Sequence, residues 1–147
     1  MRVPAFRSAR PAALLAAAAF ALAGCASVSL DEPIETQTWR LVSLYGSPVA
    51  VGTDPQAEPQ VSFNNGQVSG SGGCNRVSGS YQRTGTTLKI GPLASTRRAC
   101  IDAGRTQVET QFLAALQGTT RYTLAGGELV LIDGNGQTLA RLTSGAR

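Results

Sequence analysis

Turn signals spaced along the chain constrain its fold more than any other feature. Asn65-Gly66 is the strongest of them, because an Asn-Gly pair readily takes the positive φ angles of a two-residue hairpin turn. Further hairpin turns are predicted at Thr84-Gly85 and over residues 133–136, and residues 125–127 join two more strands. These signals predict a sheet built from short antiparallel strands.

Segments of alternating apolar and polar residues separate the turns. The predicted strands begin near residue 38, where Trp39 and Leu41 alternate with polar neighbours, and continue over 61–64, 67–71, 79–83, 86–90, 121–124, 128–132 and 137–142. One helix is predicted between Ala103 and Gln117, with Asp102 as its N-cap and Gly118 as its C-terminal glycine cap. Val108, Phe112 and Leu116 recur there every four residues, and Leu113 and Ala115 widen the apolar stripe. The expected fold is mostly β (α+β), a small antiparallel curled or barrel-like sheet with one amphipathic helix.

The N-terminal segment resembles a lipoprotein signal. Three arginines precede an apolar run over 12–23, which is too short to span about 30 Å of hydrocarbon as a helix. The run ends in Leu22-Ala23-Gly24-Cys25, which resembles a lipobox. We therefore expect residues 1–24 to be a cleavable signal peptide and Cys25 to be acylated, so that it holds the protein on a membrane. The alternative is an ordinary secretory signal with an incidental cysteine.

The same segment predicts domain organisation and location. Residues 25–37 are expected to form a lipidated tether, and residues 38–147 one folded domain. A different sorting signal would have aspartate at position 26. Ala26 therefore favours the outer membrane, with the domain facing the periplasm. The expected location is therefore the cell envelope.

The composition of the mature chain excludes several functional classes. Removing the signal leaves 123 of 147 residues, with 10 basic and 9 acidic side chains, so nucleic-acid binding is not expected. The chain contains no histidine, which removes Ser-His-Asp and Cys-His catalysis and the commonest metal ligand. We expect no catalytic residue, metal or cofactor. Arg97-Arg98 is interpreted as a solvated edge, with an anionic partner such as lipopolysaccharide phosphate as the alternative.

Cys74 and Cys100 remain once Cys25 is acylated. In an oxidising periplasm two cysteines pair more often than they stay free, so a structural disulfide is predicted. A reactive dithiol is the alternative, although such pairs usually lie two residues apart at the start of a helix.

Ordered motifs resemble the META domain family. Gly73-Cys74-Asn75 with Gly79 and Tyr81 resembles the family's GCN-x-x-x-G-x-Y core, and Thr96 through Cys100 resembles its T-x-x-A-C element. Trp39, Glu109, Phe112 and Leu116 match its W-x-L opening and its E-x-x-F-x-x-x-L helix. The resemblance implies a compact antiparallel β-fold with one helix, often in envelope lipoproteins, and no agreed biochemical activity. Members have been connected with heat-shock response and antibiotic tolerance.

Three functions follow as expectations. The first is a non-enzymatic envelope protein with an interaction or stress-protection role, whose partner is an unidentified envelope protein or small ligand. In this reading the motif locks one corner of the sheet to the segment that carries Cys100. The second is a small-ligand or lipid carrier with a cavity lined by Phe112 and Leu113, and the third is a thiol oxidoreductase that uses Cys74 and Cys100.

Overall fold

The computed structural model describes residues 34–50 and 57–145, which form ten strands and one helix. Their bounds are β1 Thr38–Leu44, β2 Ser47–Pro48, β3 Gln60–Asn64, β4 Gln67–Ser71, β5 Arg76–Thr84, β6 Thr87–Ile90, β7 Ala94–Ser95, α1 Ala103–Gly118, β8 Arg121–Ala125, β9 Glu128–Ile132 and β10 Thr138–Ser144. The predicted signal peptide and Cys25 lie outside the described residues. Within the described ranges, no helix is long and apolar enough to cross a membrane.

Eight of the strands close into an antiparallel barrel. Around the barrel they follow the order β1, β3, β4, β5, β6, β8, β9 and β10, and β10 pairs with β1 to complete the circle. The two-residue strands β2 and β7 extend the pairing along β1 and β5. Closure pairs the strand edges that an open sheet would leave exposed. The predicted fold, a mostly β and barrel-like sheet with one helix, is confirmed.

The turns lie close to where the sequence places them. Asn65 and Gly66 have φ angles of 48° and 78°, which is the left-handed geometry that an Asn-Gly hairpin turn requires. The turn between β5 and β6 falls at residues 85–86, one residue later than predicted. Strand β5 also starts at Arg76, three residues before the predicted strand, because its first residues pair with β4 and β7.

Alternate residues of the strands fill the barrel. Their side chains form one apolar cluster with the helix, which includes the fully buried residues Trp39, Val61, Phe63, Leu88, Phe112, Leu116, Leu129, Leu131 and Leu142. Register shifts between Leu41 and Ser43 and between Thr138 and Ala140 interrupt the ladders of β1 and β10. Such irregularities bend strands and help a sheet to curl.

Helix α1 packs its apolar side against the barrel. Asp102 caps its start, since the side-chain oxygen accepts a hydrogen bond from the Arg105 N–H at 2.8 Å. Phe112, Ala115 and Leu116 are buried, whereas Val108 and Leu113 are only half-buried. The predicted glycine cap is wrong, because Gly118 is the last helical residue. Thr119 caps the helix in an extended conformation, and its hydroxyl donates to the Ala115 carbonyl at 2.8 Å.

The boundary between β6 and β8 is the narrowest in the barrel. Only Thr87 and Arg121 pair across it, whereas β1 and β10 share five residue pairs. Two backbone hydrogen bonds flank that pair, from Leu88 N to Thr120 O and from Tyr122 N to Thr86 O, each 3.0 Å long. The chain between these strands contains α1, which packs against β6 on one side of the boundary and against β9 and β10 on the other.

The packed domain starts before the predicted position. Residues 25–37 are predicted to form the tether, yet Ile34 is fully buried and Glu35 pairs with Phe63. The Trp39 indole N–H also donates to the Ile34 carbonyl at 2.8 Å. A single apolar residue shows no period, so the sequence pattern could not reveal this contact.

Candidate functional site

The motif residues separate into two groups. One group meets at a surface corner of the barrel, which we call the motif corner and define as residues 72–75, 96–100 and Glu109. The other group is Trp39, Gly79, Tyr81, Phe112 and Leu116, which belong to the barrel wall and its core. The corner joins three segments that lie far apart in sequence: the loop after β4, the loop before α1, and α1 itself.

A disulfide links the first two segments of the corner. Cys74 and Cys100 are bonded, their Cα atoms are 5.5 Å apart, and both residues are half-buried. The predicted pairing is therefore confirmed. It ties the loop between β4 and β5 to the loop between β7 and α1.

Glu109 links the helix to the same loop. Its Oε2 atom accepts hydrogen bonds from the backbone N–H groups of Cys74 at 3.1 Å and Asn75 at 2.6 Å. Its Oε1 atom accepts a third from the Asn75 side-chain amide at 2.6 Å. A carboxylate that accepts backbone N–H groups makes stronger bonds than a neutral acceptor does. The carboxylate is thus occupied by internal contacts.

Asn75 connects the loop after β4 to the loop before α1. Its side-chain oxygen accepts hydrogen bonds from the Thr96 hydroxyl at 2.9 Å and from the Arg98 N–H at 2.7 Å. Its amide nitrogen donates to the Arg98 carbonyl at 3.3 Å as well as to Glu109. Asn75 is 6% exposed, and no other side-chain type offers both donors and an acceptor in this shape.

The glycines before Cys74 let the backbone reach these partners. Gly73 has a φ angle of 110°, in a region that residues with a Cβ rarely adopt. A Cβ atom on Gly72 would lie 2.7 Å from Glu109 Oε2, closer than non-bonded atoms approach. The Gly72 N–H donates to the Asn75 carbonyl at 2.9 Å, which closes the turn. The sequence expectation that the motif locks one corner of the sheet is consistent with these contacts.

Tyr81 lies in the barrel wall, away from the corner. Its ring meets the Phe63 ring edge-on at a centroid distance of 5.1 Å, and its hydroxyl donates to Glu35 Oε1 at 2.8 Å. Burial is the main cause that raises the pKa of Tyr81, and the hydrogen bond to Glu35 adds to it. Its hydroxyl therefore stays protonated and bonded at neutral pH, as a structural contact.

The motif corner brings two sulfurs and a carboxylate together. The potential ligand atoms of Cys74, Cys100 and Glu109 lie within 4.8 Å of one another. The sulfurs are bonded to each other, so neither is the thiolate that a soft metal ion would need. With the Glu109 oxygens engaged as well, the arrangement acts as a cross-link between three segments.

Replacing Cys100 with alanine should lower the free energy of unfolding by about 2–4 kcal/mol, because the denatured chain loses the constraint of the closed loop. Equilibrium urea denaturation under oxidising conditions measures this effect. Wild-type protein with a reductant is the matched control and should unfold near the midpoint of the variant. Full reaction of the oxidised wild type with a thiol reagent, before any reductant is added, would contradict the pairing.

Two grooves flank the motif corner. The apolar groove has a volume of about 390 Å³ and is bordered by Val49, Pro59 and Val108. The polar groove has a volume of about 870 Å³, and its border includes Ser69, Ser71, Arg76, Ser78, Thr96 and Arg98. Neither groove reaches the buried Phe112, which the carrier hypothesis places in a cavity wall.

Solved structures share this architecture. One NMR structure is 27% identical, covers 74% of this chain and 89% of its own, and has a TM-score of 0.58. A second, from Burkholderia xenovorans, is 26% identical, covers 78% and 85%, and has a TM-score of 0.62. A crystal structure of a DUF4847 family protein from Bacteroides vulgatus, 18% identical, covers 78% and 96% with a TM-score of 0.60, and shows a similar fold.

Sequence comparison identifies the family. None of the curated proteins matches the chain. A sequence model of the META domain matches residues 32–146, a span that includes Ile34 and Glu35 as well as every motif residue of the corner. This chain belongs to the META domain family.

Proposed function

We propose that this protein is a lipid-anchored, non-enzymatic META domain protein of the cell envelope, with an interaction or stress-protection role. The observation that carries the proposal is that the motif residues of the corner are bonded to one another. Cys74, Asn75 and Glu109 are engaged in a disulfide and in hydrogen bonds to the backbone. These are the groups on which a catalytic reading would depend, and their contacts favour a scaffold role.

Anchoring follows from the sequence. An acylated Cys25 would hold the domain on the membrane surface, since two or more acyl chains bind a bilayer stably. Ala26 favours the outer membrane, where the domain would face the periplasm. A disulfide between Cys74 and Cys100 fits that oxidising compartment.

Replacing Cys25 with serine should abolish labelling by radioactive palmitate, because serine lacks the thiol that receives the lipid. Metabolic labelling followed by membrane fractionation measures it. The Cys100→Ala variant is the matched control and should keep its label, since it alters another cysteine of the chain. Label that persists in the Cys25→Ser variant would remove the anchoring and, with it, the location.

The contacts weigh against the two other functions. Phe112 is fully buried among the core residues, so a ligand inside the barrel would have to displace packed side chains. The Glu109 carboxylate lies within 4.8 Å of the sulfurs, and negative charge there disfavours the thiolate form that an oxidoreductase needs. Thiol titration, described above for Cys100, tests the redox alternative directly.

A further inference from the structure

Two cross-strand rows of hydrogen-bonding side chains line the polar groove. Ser69 of β4 lies opposite Ser78 of β5, and Ser71 of β4 lies opposite Arg76 of β5. The alternate residues Val68 and Val77 are buried, so the rows lie on the outer face of the barrel. Cross-strand neighbours are about 4.5–5.5 Å apart at Cβ, close enough for two of them to contact one small molecule.

The groove also carries positive charge that no described carboxylate neutralises through an ion pair. Of the six described acidic residues, four pair with an arginine that does not border the polar groove, namely Glu35, Glu58, Asp102 and Glu128. The other two, Glu109 and Asp133, accept hydrogen bonds from backbone N–H groups. Arg76 and Arg98 border it, are exposed, and form no ion pair with any described residue. Two guanidinium groups without a carboxylate partner favour an anionic ligand.

The motif corner holds the backbones of both arginines in place. Asn75 holds the peptide groups of Arg98 from both sides, accepting from its N–H and donating to its carbonyl. Thr96 bonds to the backbone of Arg76 in both directions, through its hydroxyl at 3.1 Å and its N–H at 3.0 Å. The disulfide at Cys100 anchors the same segment. The backbones of both arginines are therefore pre-positioned, which lowers the entropic cost of binding.

We propose that the polar groove binds a sugar phosphate. Arg76 and Arg98 receive the phosphate, and the serine hydroxyls of β4 and β5 receive the hydroxyl groups of the sugar. Among the described residues, no aromatic side chain borders the groove, so affinity comes from charge and hydrogen bonds instead of ring stacking. The inference rests on the proposed interaction role and names the chemistry of the ligand. It also gives the motif corner a task beyond stability, since the corner positions Arg98.

Isothermal titration of the full-length chain in a neutral detergent tests the proposal, with glucose 6-phosphate, glucose and inorganic phosphate as probes. Glucose 6-phosphate should bind more tightly than either of the others. The double variant R76Q/R98Q should lose about tenfold or more in affinity for it, because charge-assisted hydrogen bonds are removed. The control R121Q alters an exposed arginine on β8 that lies outside the groove, so this variant should bind as the wild type does.

A second variant separates the two parts of the ligand. S69A/S78A should weaken binding of glucose 6-phosphate and leave binding of inorganic phosphate unchanged, since only the sugar contacts those hydroxyls. Thermal unfolding of each variant verifies that the fold is retained. The proposal is overturned if wild type does not bind glucose 6-phosphate at millimolar concentration, or if R76Q/R98Q binds it as tightly as wild type does.

The same phosphate could belong to a free sugar or to a glycolipid headgroup. Detergent micelles that carry a phosphorylated glycolipid distinguish these sources. If the groove binds a glycolipid headgroup, the micelles displace bound glucose 6-phosphate. If the groove binds only a free sugar phosphate, glucose 6-phosphate stays bound. Palmitate labelling reports the anchoring separately. Binding without acylation would therefore refute the anchoring alone, and acylation without binding would refute the groove alone.

Discussion

Replacing Phe112 with alanine is expected to lower the free energy of unfolding by about 3–5 kcal/mol, the usual cost of removing a packed aromatic ring and leaving a cavity. Phe112 is fully buried at the middle of α1, in the cluster that also contains Leu116 and the inner residues of the strands. The surrounding barrel is closed, so its strands cannot easily move inward to fill the space. Equilibrium urea denaturation with tryptophan fluorescence measures the change, since Trp39 lies in the same cluster.

Gln107→Ala is the matched control for this experiment. Gln107 lies on the exposed side of the same helix, so its replacement should change stability by no more than about 0.5 kcal/mol. Equal denaturation midpoints for the two variants would mean that the stripe is not buried and that the helix is wrongly placed. A Phe112→Ala variant of unchanged stability that binds an apolar probe would support the carrier function instead.

Replacing Glu109 with alanine is expected to lower the free energy of unfolding by about 3–5 kcal/mol. The change leaves the donors of Cys74 and Asn75 without their acceptor, and each such donor costs roughly 1–3 kcal/mol. Gly72 and Gly73 border the apolar groove, so water that enters the groove bonds to some of these donors and offsets part of the lost stability. Denaturation with the disulfide intact isolates the loss of the carboxylate. The Cys74–Cys100 bond should become easier to reduce, since the loop that carries Cys74 is no longer held by α1.

Glu109→Gln distinguishes hydrogen bonding from packing. Glutamine keeps the volume and one acceptor oxygen, but its NH2 group would face the Asn75 side-chain amide, which also donates. Stability should therefore fall in the order wild type, Glu109→Gln, Glu109→Ala. If both variants match wild type, the contacts at the corner contribute nothing to the folded state, and the scaffold interpretation of the motif is lost.

The features that the sequence predicted correctly are mostly those coded locally. Asn65-Gly66 specifies its own turn, the period of Val108, Phe112 and Leu116 specifies the helix, and Asp102 specifies where the helix starts. The disulfide was predicted by elimination, because two cysteines remained once Cys25 was assigned to the lipid. Each inference needed only neighbouring residues or a count of side chains.

Contacts across the chain could not be predicted in the same way. Glu109 matches the family motif, but nothing near it in sequence reveals that backbone N–H groups 34 and 35 residues away are its partners. Ile34 was missed for the same reason, since its burial depends on the arrival of Trp39 and the strands around it. The pairing of β1 with β10, which closes the barrel, joins opposite ends of the domain. The polar groove is likewise formed by strand register, which no single strand encodes.

The narrow boundary between β6 and β8 divides the molecule into two unequal halves. Residues 38–90 form one set of strands, and residues 121–144 form the meander that meets it again at β1. With a single residue pair across the boundary, few ladder bonds hold the halves together there. The apolar side of α1 spans the same place, where it packs against β6 on one side and against β9 and β10 on the other. Release of the helix should therefore loosen the barrel first at this boundary, because β1 and β10 remain joined by five residue pairs on the other side.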